Sequence, residues 1–134
     1  MKIVVSPNPY RDKQFKNARQ ACSILREAGA EVALCLPFDV DKTFEIPHDL
    51  RFQDIQKEIK TADMLICFGG DGTILHSSKI ATEHNLPILG VNIGTMGFIA
   101  ELEAGEIELL RKIPKGDYTV EERTMLDVSV GNGR

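Results

Sequence analysis

The sequence lacks the cysteine patterns that mark disulfide frameworks and metal clusters. It contains three cysteines, Cys22, Cys35 and Cys67, and no two of them form a Cys-x-x-Cys pair. An odd and widely spaced set predicts neither a disulfide framework nor a zinc site. Because a free cysteine usually behaves as a small hydrophobic residue, we interpret all three as core positions.

Long apolar segments and an excess of basic charge are also missing. No run approaches the roughly 20 apolar residues that cross a bilayer, and the N-terminal Met-Lys-Ile-Val-Val is too short for the apolar core of a signal peptide. The formal net charge is −4, without the basic stripe of proteins that hold nucleic acid through its phosphates. We therefore expect a cytoplasmic protein whose partners are neither membranes nor nucleic acids.

What the sequence does contain is an alternation of strand and helix patterns. The patterns predict strands at residues 2–6, 31–36, 62–68 and 87–93 and helices at residues 12–28, 50–61 and 73–83. The third strand is apolar without alternation, which is typical of a central parallel strand covered on both faces. The predicted fold class is α/β, with an open, mainly parallel Rossmann-like sheet and helices on both faces.

The pattern changes after about residue 100. Residues 105–113 indicate a short helix, residues 117–130 indicate one or two extended segments, and Asn132-Gly133 is a strong hairpin-turn signal. A strand and turn with no returning strand would leave backbone N–H and C=O groups of the strand without hydrogen-bond partners. We therefore expect residues 1–100 to form an α/β nucleotide-facing domain and residues 101–134 to begin a truncated β-rich domain.

The chemistry is concentrated in the Gly-Gly-Asp-Gly-Thr turn at residues 69–73. Glycines permit backbone angles closed to other residues and let a ligand approach the main chain, while the start of the following helix favours an anion. Asp71 suits accepting a proton from a hydroxyl or holding Mg²⁺ beside phosphates. The structural alternative is that Asp71 only caps the helix. The Walker motif is absent, because no Gly-Lys-Ser/Thr follows the glycines.

Three motifs carry a resemblance to a known family. The Gly-Gly-Asp-Gly-Thr turn resembles the superfamily that joins NAD kinases, diacylglycerol-type lipid kinases and phosphofructokinases, and it does not separate them. Residues 90–98, Gly-Val-Asn-Ile-Gly-Thr-Met-Gly-Phe, resemble the NAD kinase signature Gly-x-Asn-x-Gly-x-x-Gly-Phe. Residues 122–126 are similar to the Glu-Arg-x-x-Leu run that enters the β-rich domain of that family. The resemblance is thus to an NAD kinase N-terminal domain with the start of the C-terminal domain.

This resemblance implies ATP-dependent phosphorylation of NAD at the 2′-hydroxyl of the adenosine ribose, giving NADP, with Mg²⁺ or another divalent cation. Asp71 would be the catalytic base, and Phe98 would pack against an adenine face. The full set of residues that the resemblance places against the dinucleotide is Gly70, Gly72, Thr73, His76, Asn92 and Phe98.

The sequence departs from the family pattern at His76, where many members carry arginine. His76 is either a ligand contact or an ordinary surface histidine, and Lys79 either supplies the missing charge or is solvated. The Asn-Glu or Asn-Asp motif of the family is not present, so we expect the isolated chain to be inactive. The resemblance separately implies that the full-length protein is a homo-oligomer. A lipid or sugar kinase with the same turn and a non-catalytic nucleotide-binding module remain alternatives.

Overall fold

The structure, a computed structural model, describes residues 1–94, 100–122 and 126–131. Its framework is a parallel sheet connected by helices. The four predicted strands are present as β1 Lys2–Pro7, β2 Glu31–Leu34, β3 Met64–Gly69 and β4 Ile88–Asn92. The three predicted helical regions contain α1 Lys16–Glu27, α2 Ile55–Glu58 and α3 Asp71–Glu83.

The order of the strands confirms the predicted fold class. β1 lies between β2 and β3, β4 lies on the far side of β3, and all three contacts are parallel. Ile3 and Val5 face a hydrophobic layer that contains α1, whereas Val4 faces a second layer that contains residues of α2 and α3. The sheet is therefore covered by helices on both faces. Within the described residues, no helix has the length and apolar character needed to span a bilayer.

The first helix begins later than its hydrophobic pattern predicts, because a different turn precedes it. Gln14 and Phe15 both have φ of 56°, in the left-handed region that a helix does not use. The Phe15 ring is buried and packs against Phe52 at a centroid distance of 4.9 Å, which holds this strained turn in place. The buried carboxylate of Asp12 then accepts hydrogen bonds from two backbone amides in the first turn of α1, at 3.0 and 2.9 Å.

The helix predicted at residues 50–61 is wrong in its first half. The Gln53 amide donates to the carbonyl of Leu34 at 2.8 Å, so this part of the chain continues the edge of the sheet beyond β2. Asp54 then caps α2 through a side-chain hydrogen bond of 3.0 Å to a backbone amide. A 3₁₀ helix at Ile59–Thr61 completes the segment.

The part of the chain after residue 100 extends the same sheet. β5 Leu102–Glu103 pairs with β4 and leads into a 3₁₀ helix at Ala104–Lys112. β6 Thr119–Glu122 and β7 Leu126–Ser129 form an antiparallel pair, and β7 also contacts β4 at Ile88. The expectation of an unpaired final strand is thus wrong for β7. The predicted turn at residues 132–133 lies outside the described residues, and the division at residue 100 stays a prediction.

The three cysteines are free and buried, which confirms their interpretation as core residues. Burial raises the pKa of the Cys22 thiol to about 11 and those of Cys35 and Cys67 to about 12, from an ordinary value of 9.0. Each thiol therefore stays protonated in the folded protein at a pH where an unfolded thiol begins to ionise.

We predict that the folded chain resists thiol reagents at pH 8, because the thiolate is the reactive form. All three thiols should react in urea. Because the thiol pKa values are higher in the folded than in the unfolded chain, the three protonated thiols stabilise the folded state. This contribution to the free energy of unfolding is complete below about pH 9 and is lost as the pH rises towards 12. Urea titrations at pH 7 and pH 10 measure this loss, with Cys35→Ala as a less pH-dependent comparison. Rapid labelling of the folded chain at pH 8 would contradict the assignment.

Candidate functional site

A cleft lies where the connections of the sheet diverge. The chain leaves β1 towards β2 on one side, while it leaves β3 towards β4 on the other. Such a switch point opens a crevice at the carboxyl ends of parallel strands, where α/β proteins bind ligands. The cleft has a volume of about 460 Å³, and its lining residues in the described chain are Asn8, Arg11, Phe38, Gly70, Asp71, Gly72, Thr73, His76 and Gly94.

Gly69 is the glycine of the turn that is needed for space, and no glycine of the turn has a positive φ. Gly70 has φ of −95°, and the glycines with positive φ in the described chain are Gly29 and Gly116. The expected special backbone angles are therefore wrong for this turn. A Cβ at Gly69 would lie 2.6 Å from the Thr73 Cβ, whereas a Cβ at Gly70 or Gly72 would have no atom of the described residues within 4 Å apart from its neighbours along the chain.

Asp71 is half-buried, lines the cleft and is the first residue of α3. The N-cap position belongs to Gly70, which has no side chain with which to cap the helix. The amides at the start of a helix carry partial positive charge, so Asp71 lies beside groups that also attract the phosphates of a ligand. The arrangement therefore places a carboxylate in the cleft beside the end of α3 that favours an anion.

The turn after β1 is tied to the turn after β3 by a direct hydrogen bond. The Asn8 side-chain amide donates to the Thr73 hydroxyl at 2.8 Å, and the Asn8 backbone amide donates to the Phe68 carbonyl, also at 2.8 Å. The Asn8 side-chain oxygen in turn accepts the Tyr10 amide at 2.9 Å. Thr73 is buried and keeps its own hydroxyl proton available for donation. These contacts fix the two walls of the cleft relative to each other.

His76 lines the cleft but is also bound to the opposite loop. Its Nε2 atom lies 2.9 Å from the Pro37 carbonyl oxygen, and because a carbonyl only accepts, Nε2 must carry the proton. The imidazole also contacts the Phe38 ring edge-on at a centroid distance of 6.0 Å. His76 therefore lines the cleft, and its Nε2 atom is engaged in a hydrogen bond within the protein. Lys79 is exposed and is not among the lining residues.

Asn92 lies behind the wall of the cleft. It is 4% exposed, its side-chain amide donates to Glu103 at 2.8 Å, and its side-chain oxygen has no hydrogen-bond partner among the described residues. Gly94, two residues further on, lines the cleft instead. The predicted contact of Asn92 with a dinucleotide stays a prediction. Phe98 lies outside the described residues.

Sequence reasoning missed Asn8, Arg11 and Phe38 as lining residues. Asn8 and Arg11 follow β1 in the same way that the glycine turn follows β3, and the two strands are neighbours. The signal available in the sequence was the turn at the carboxyl end of the first predicted strand. Its proximity to the glycine turn depends on strand order, which the pattern of residues does not fix.

An open parallel α/β sheet with a glycine turn and a helix N-terminus at its switch point has the architecture found in nucleotide-binding domains. Comparison with known proteins gives the family. The chain belongs to the family described as the ATP-NAD kinase N-terminal domain, whose family model matches residues 2–118.

Three NAD kinases illustrate the similarity. The enzyme of Bacteroides fragilis is 32% identical over 130 residues, which cover 96% of this chain and 45% of that protein. The Caldanaerobacter subterraneus enzyme is 35% identical over 130 residues, covering 96% and 44%. The Natranaerobius thermophilus enzyme is 46% identical over 78 residues, covering 58% and 27%. The chain thus spans less than half the length of these relatives.

We predict opposite effects on stability for alanine at the two ends of the glycine turn. Gly69→Ala should lower the free energy of unfolding by about 1–3 kcal/mol, because its Cβ collides with Thr73 and α3 must shift. Gly72→Ala is the matched control. Its methyl group enters open space in a helix, where alanine is favoured by up to about 1 kcal/mol. Urea titrations of both variants measure the difference, and equal losses of stability would contradict this account of the turn.

Proposed function

We propose that the protein containing this chain transfers a phosphoryl group from ATP to the 2′-hydroxyl of the adenosine ribose of NAD, giving NADP. The observation that carries the proposal is the position of Asp71, a half-buried carboxylate that lies between two glycines and lines the cleft. Membership of the kinase family supports the reaction class. The substrates are proposed from the relatives, which are named NAD kinases.

The glycine turn is proposed to hold phosphate groups through its backbone. The first amides of the helix that starts at Asp71 have no carbonyl partner within the helix, and the helix dipole favours an anion at this end. The open space above Gly70 and Gly72 supports a close approach of the ligand to these amides. In this arrangement the nucleotide contacts proposed for Gly70, Gly72 and Thr73 are made mainly by the main chain, with the Thr73 hydroxyl as an additional donor.

Asp71 is proposed as the general base. The ribose hydroxyl would give its proton to the Asp71 carboxylate while its oxygen attacks the γ-phosphorus of ATP, and the bond from that phosphorus to ADP would break. A carboxylate is a weak base, so this step is expected to contribute about 10²–10⁴-fold to the rate. Most of the acceleration in phosphoryl transfer comes from positioning and neutralisation of charge.

A divalent cation, proposed as Mg²⁺, would be bound jointly by the protein and ATP. In the described parts of the chain no three His, Cys, Asp or Glu side chains cluster as metal ligands. Asp71 is the one carboxylate among the described residues that line the cleft. Because Mg²⁺ is commonly held by one or two carboxylates together with substrate phosphates, this donor set fits an ion shared with the nucleotide. The cation would neutralise charge on the transferred group.

Residues 1–100 are proposed as the nucleotide-facing domain and residues 101–134 as the beginning of a second, β-rich domain. We propose the cytoplasm as the compartment, since the buried free thiols fit a reducing environment. Assembly into a homo-oligomer is proposed for the full-length protein.

Asn92 and Phe98 are proposed to contribute to the NAD site from the segment after β4.

We predict that a full-length version makes NADP from NAD and ATP and leaves diacylglycerol and sugar phosphates unmodified. Asp71→Asn should lower kcat by about 10²–10⁴-fold with little change in the KM for NAD, because the amide keeps the shape but cannot act as a base. The exposed Asp117→Asn is the matched control. Phosphorylation of a lipid or sugar would instead support the related kinases, and an unaltered rate in Asp71→Asn would remove the base assignment.

The 134-residue chain alone is predicted to form no NADP. It spans less than half the length of its relatives, and we propose that the remaining part supplies much of the contact with NAD. The measurement is an NADP assay of the purified chain with ATP and Mg²⁺, alongside the full-length version. Turnover by the chain alone would show that the site is complete within these residues.

A further inference from the structure

We infer that Arg11, on the turn after β1, binds the pyrophosphate group of a nucleotide in the cleft. This inference rests on the proposed function, because it assigns a further binding residue to the same site. Both proposed substrates contain linked phosphates, NAD as a diphosphate and ATP as a triphosphate. Pyrophosphate is therefore the shared chemistry that the inference concerns.

The charge of the cleft favours a cationic side chain here, in addition to the Mg²⁺ proposed to be bound with ATP. Asp71 is negative, and Arg11 is the one permanently cationic side chain among the described lining residues. His76 donates its Nε2 proton to the Pro37 carbonyl, so that proton is not available to a phosphate. A polyanion approaching Asp71 is repelled unless a positive charge lies beside it. Arg11 supplies that charge.

The guanidinium of Arg11 also lies close to the glycine turn. A Cβ built on Gly94 would be 3.3 Å from the Nη1 atom of Arg11, so the side chain reaches from the end of β1 to the segment after β4. β3 lies between β1 and β4 in the sheet. Arg11 therefore crosses the end of β3, where the glycine turn begins, and faces the same cleft as the turn.

The backbone of Arg11 is fixed while its side chain remains available. The amides of Arg11 and Asp12 both donate to the Asn8 carbonyl, at 3.1 and 2.9 Å, and the buried Asp12 carboxylate anchors the start of α1. In contrast, the guanidinium of Arg11 makes no hydrogen bond or ion pair with the described part of the chain, whereas Arg19 and Arg111 are each paired with carboxylates. An anchored arginine with a free guanidinium is suited to bind a ligand.

The planar fork of arginine matches two phosphate oxygens at once, which a lysine ammonium cannot do. Replacement by lysine therefore keeps the charge and removes the bidentate geometry. If Arg11 acts only through general electrostatic attraction, the lysine variant should bind as well as wild type. If Arg11 makes a bidentate phosphate contact, the lysine variant should bind less tightly.

The test compares Arg11→Ala, Arg11→Lys and the exposed control Arg51→Ala in a full-length version. Binding of inorganic pyrophosphate, ATP and NAD is measured by calorimetry, and KM values for ATP and NAD are measured in the NADP assay. We expect Arg11→Ala to weaken pyrophosphate binding at least tenfold, with a smaller loss in Arg11→Lys and none in Arg51→Ala. A rise in the KM for ATP alone assigns the contact to the donor, and a rise for NAD alone assigns it to the acceptor.

The inference is overturned if the wild-type protein does not bind pyrophosphate, if Arg11→Ala binds it as tightly as wild type, or if Arg51→Ala loses the same affinity. The binding measurements need no catalysis, so they separate this inference from the proposed function. A protein that forms no NADP but loses pyrophosphate affinity in Arg11→Ala would retain the Arg11 site and refute the kinase reaction. Unchanged urea unfolding of each variant shows that the loss is not a loss of folding.

Discussion

The parallel pairing of β1 with β3 is the constraint on which the site depends. The two strands pair from Ile3 with Met64 to Pro7 with Phe68, and their carboxyl ends therefore lie side by side. The turn after β1 and the glycine turn after β3 become opposite walls of one cleft as a direct consequence. Without this pairing, Arg11 and Asp71 would belong to separate surfaces, because 60 positions of chain separate Arg11 from Asp71.

Close packing converts this proximity into a defined geometry. Gly69 lets the Thr73 side chain approach the end of β3, and the hydrogen bond from Asn8 to Thr73 then joins the two turns. Gly90 serves α3 in a similar way, since a Cβ there would lie 2.7 Å from the Ile74 side chain. The start of α3 is thus held against the sheet on both sides of the turn. The small residues allow this packing, and the charged side chains that line the cleft in the described chain are Arg11 and Asp71.

The sequence was sufficient to predict the α/β class, the four parallel strands and the place of the glycine turn at the carboxyl end of β3. Each of these rests on local patterns, such as the apolar run of β3 followed by Gly69. The sequence did not reveal why Gly69 is glycine, because the collision with Thr73 depends on the packing of a helix against a strand. It also did not reveal Arg11, whose place in the cleft depends on strand order. The late start of α1 and of α2 follows from tertiary contacts of Asp12, Phe15 and Gln53 that outweigh helical periodicity.

Asp71 is proposed to face the ribose of a dinucleotide whose phosphates lie on the glycine turn. A crystal structure of a full-length version with bound NAD tests it most directly. In that structure an Asp71 carboxylate oxygen should lie within about 2.6–3.2 Å of the ribose 2′-hydroxyl, or be joined to it through one water molecule. NAD bound in another cleft, or in this cleft with its 2′-hydroxyl directed away from Asp71, would contradict it.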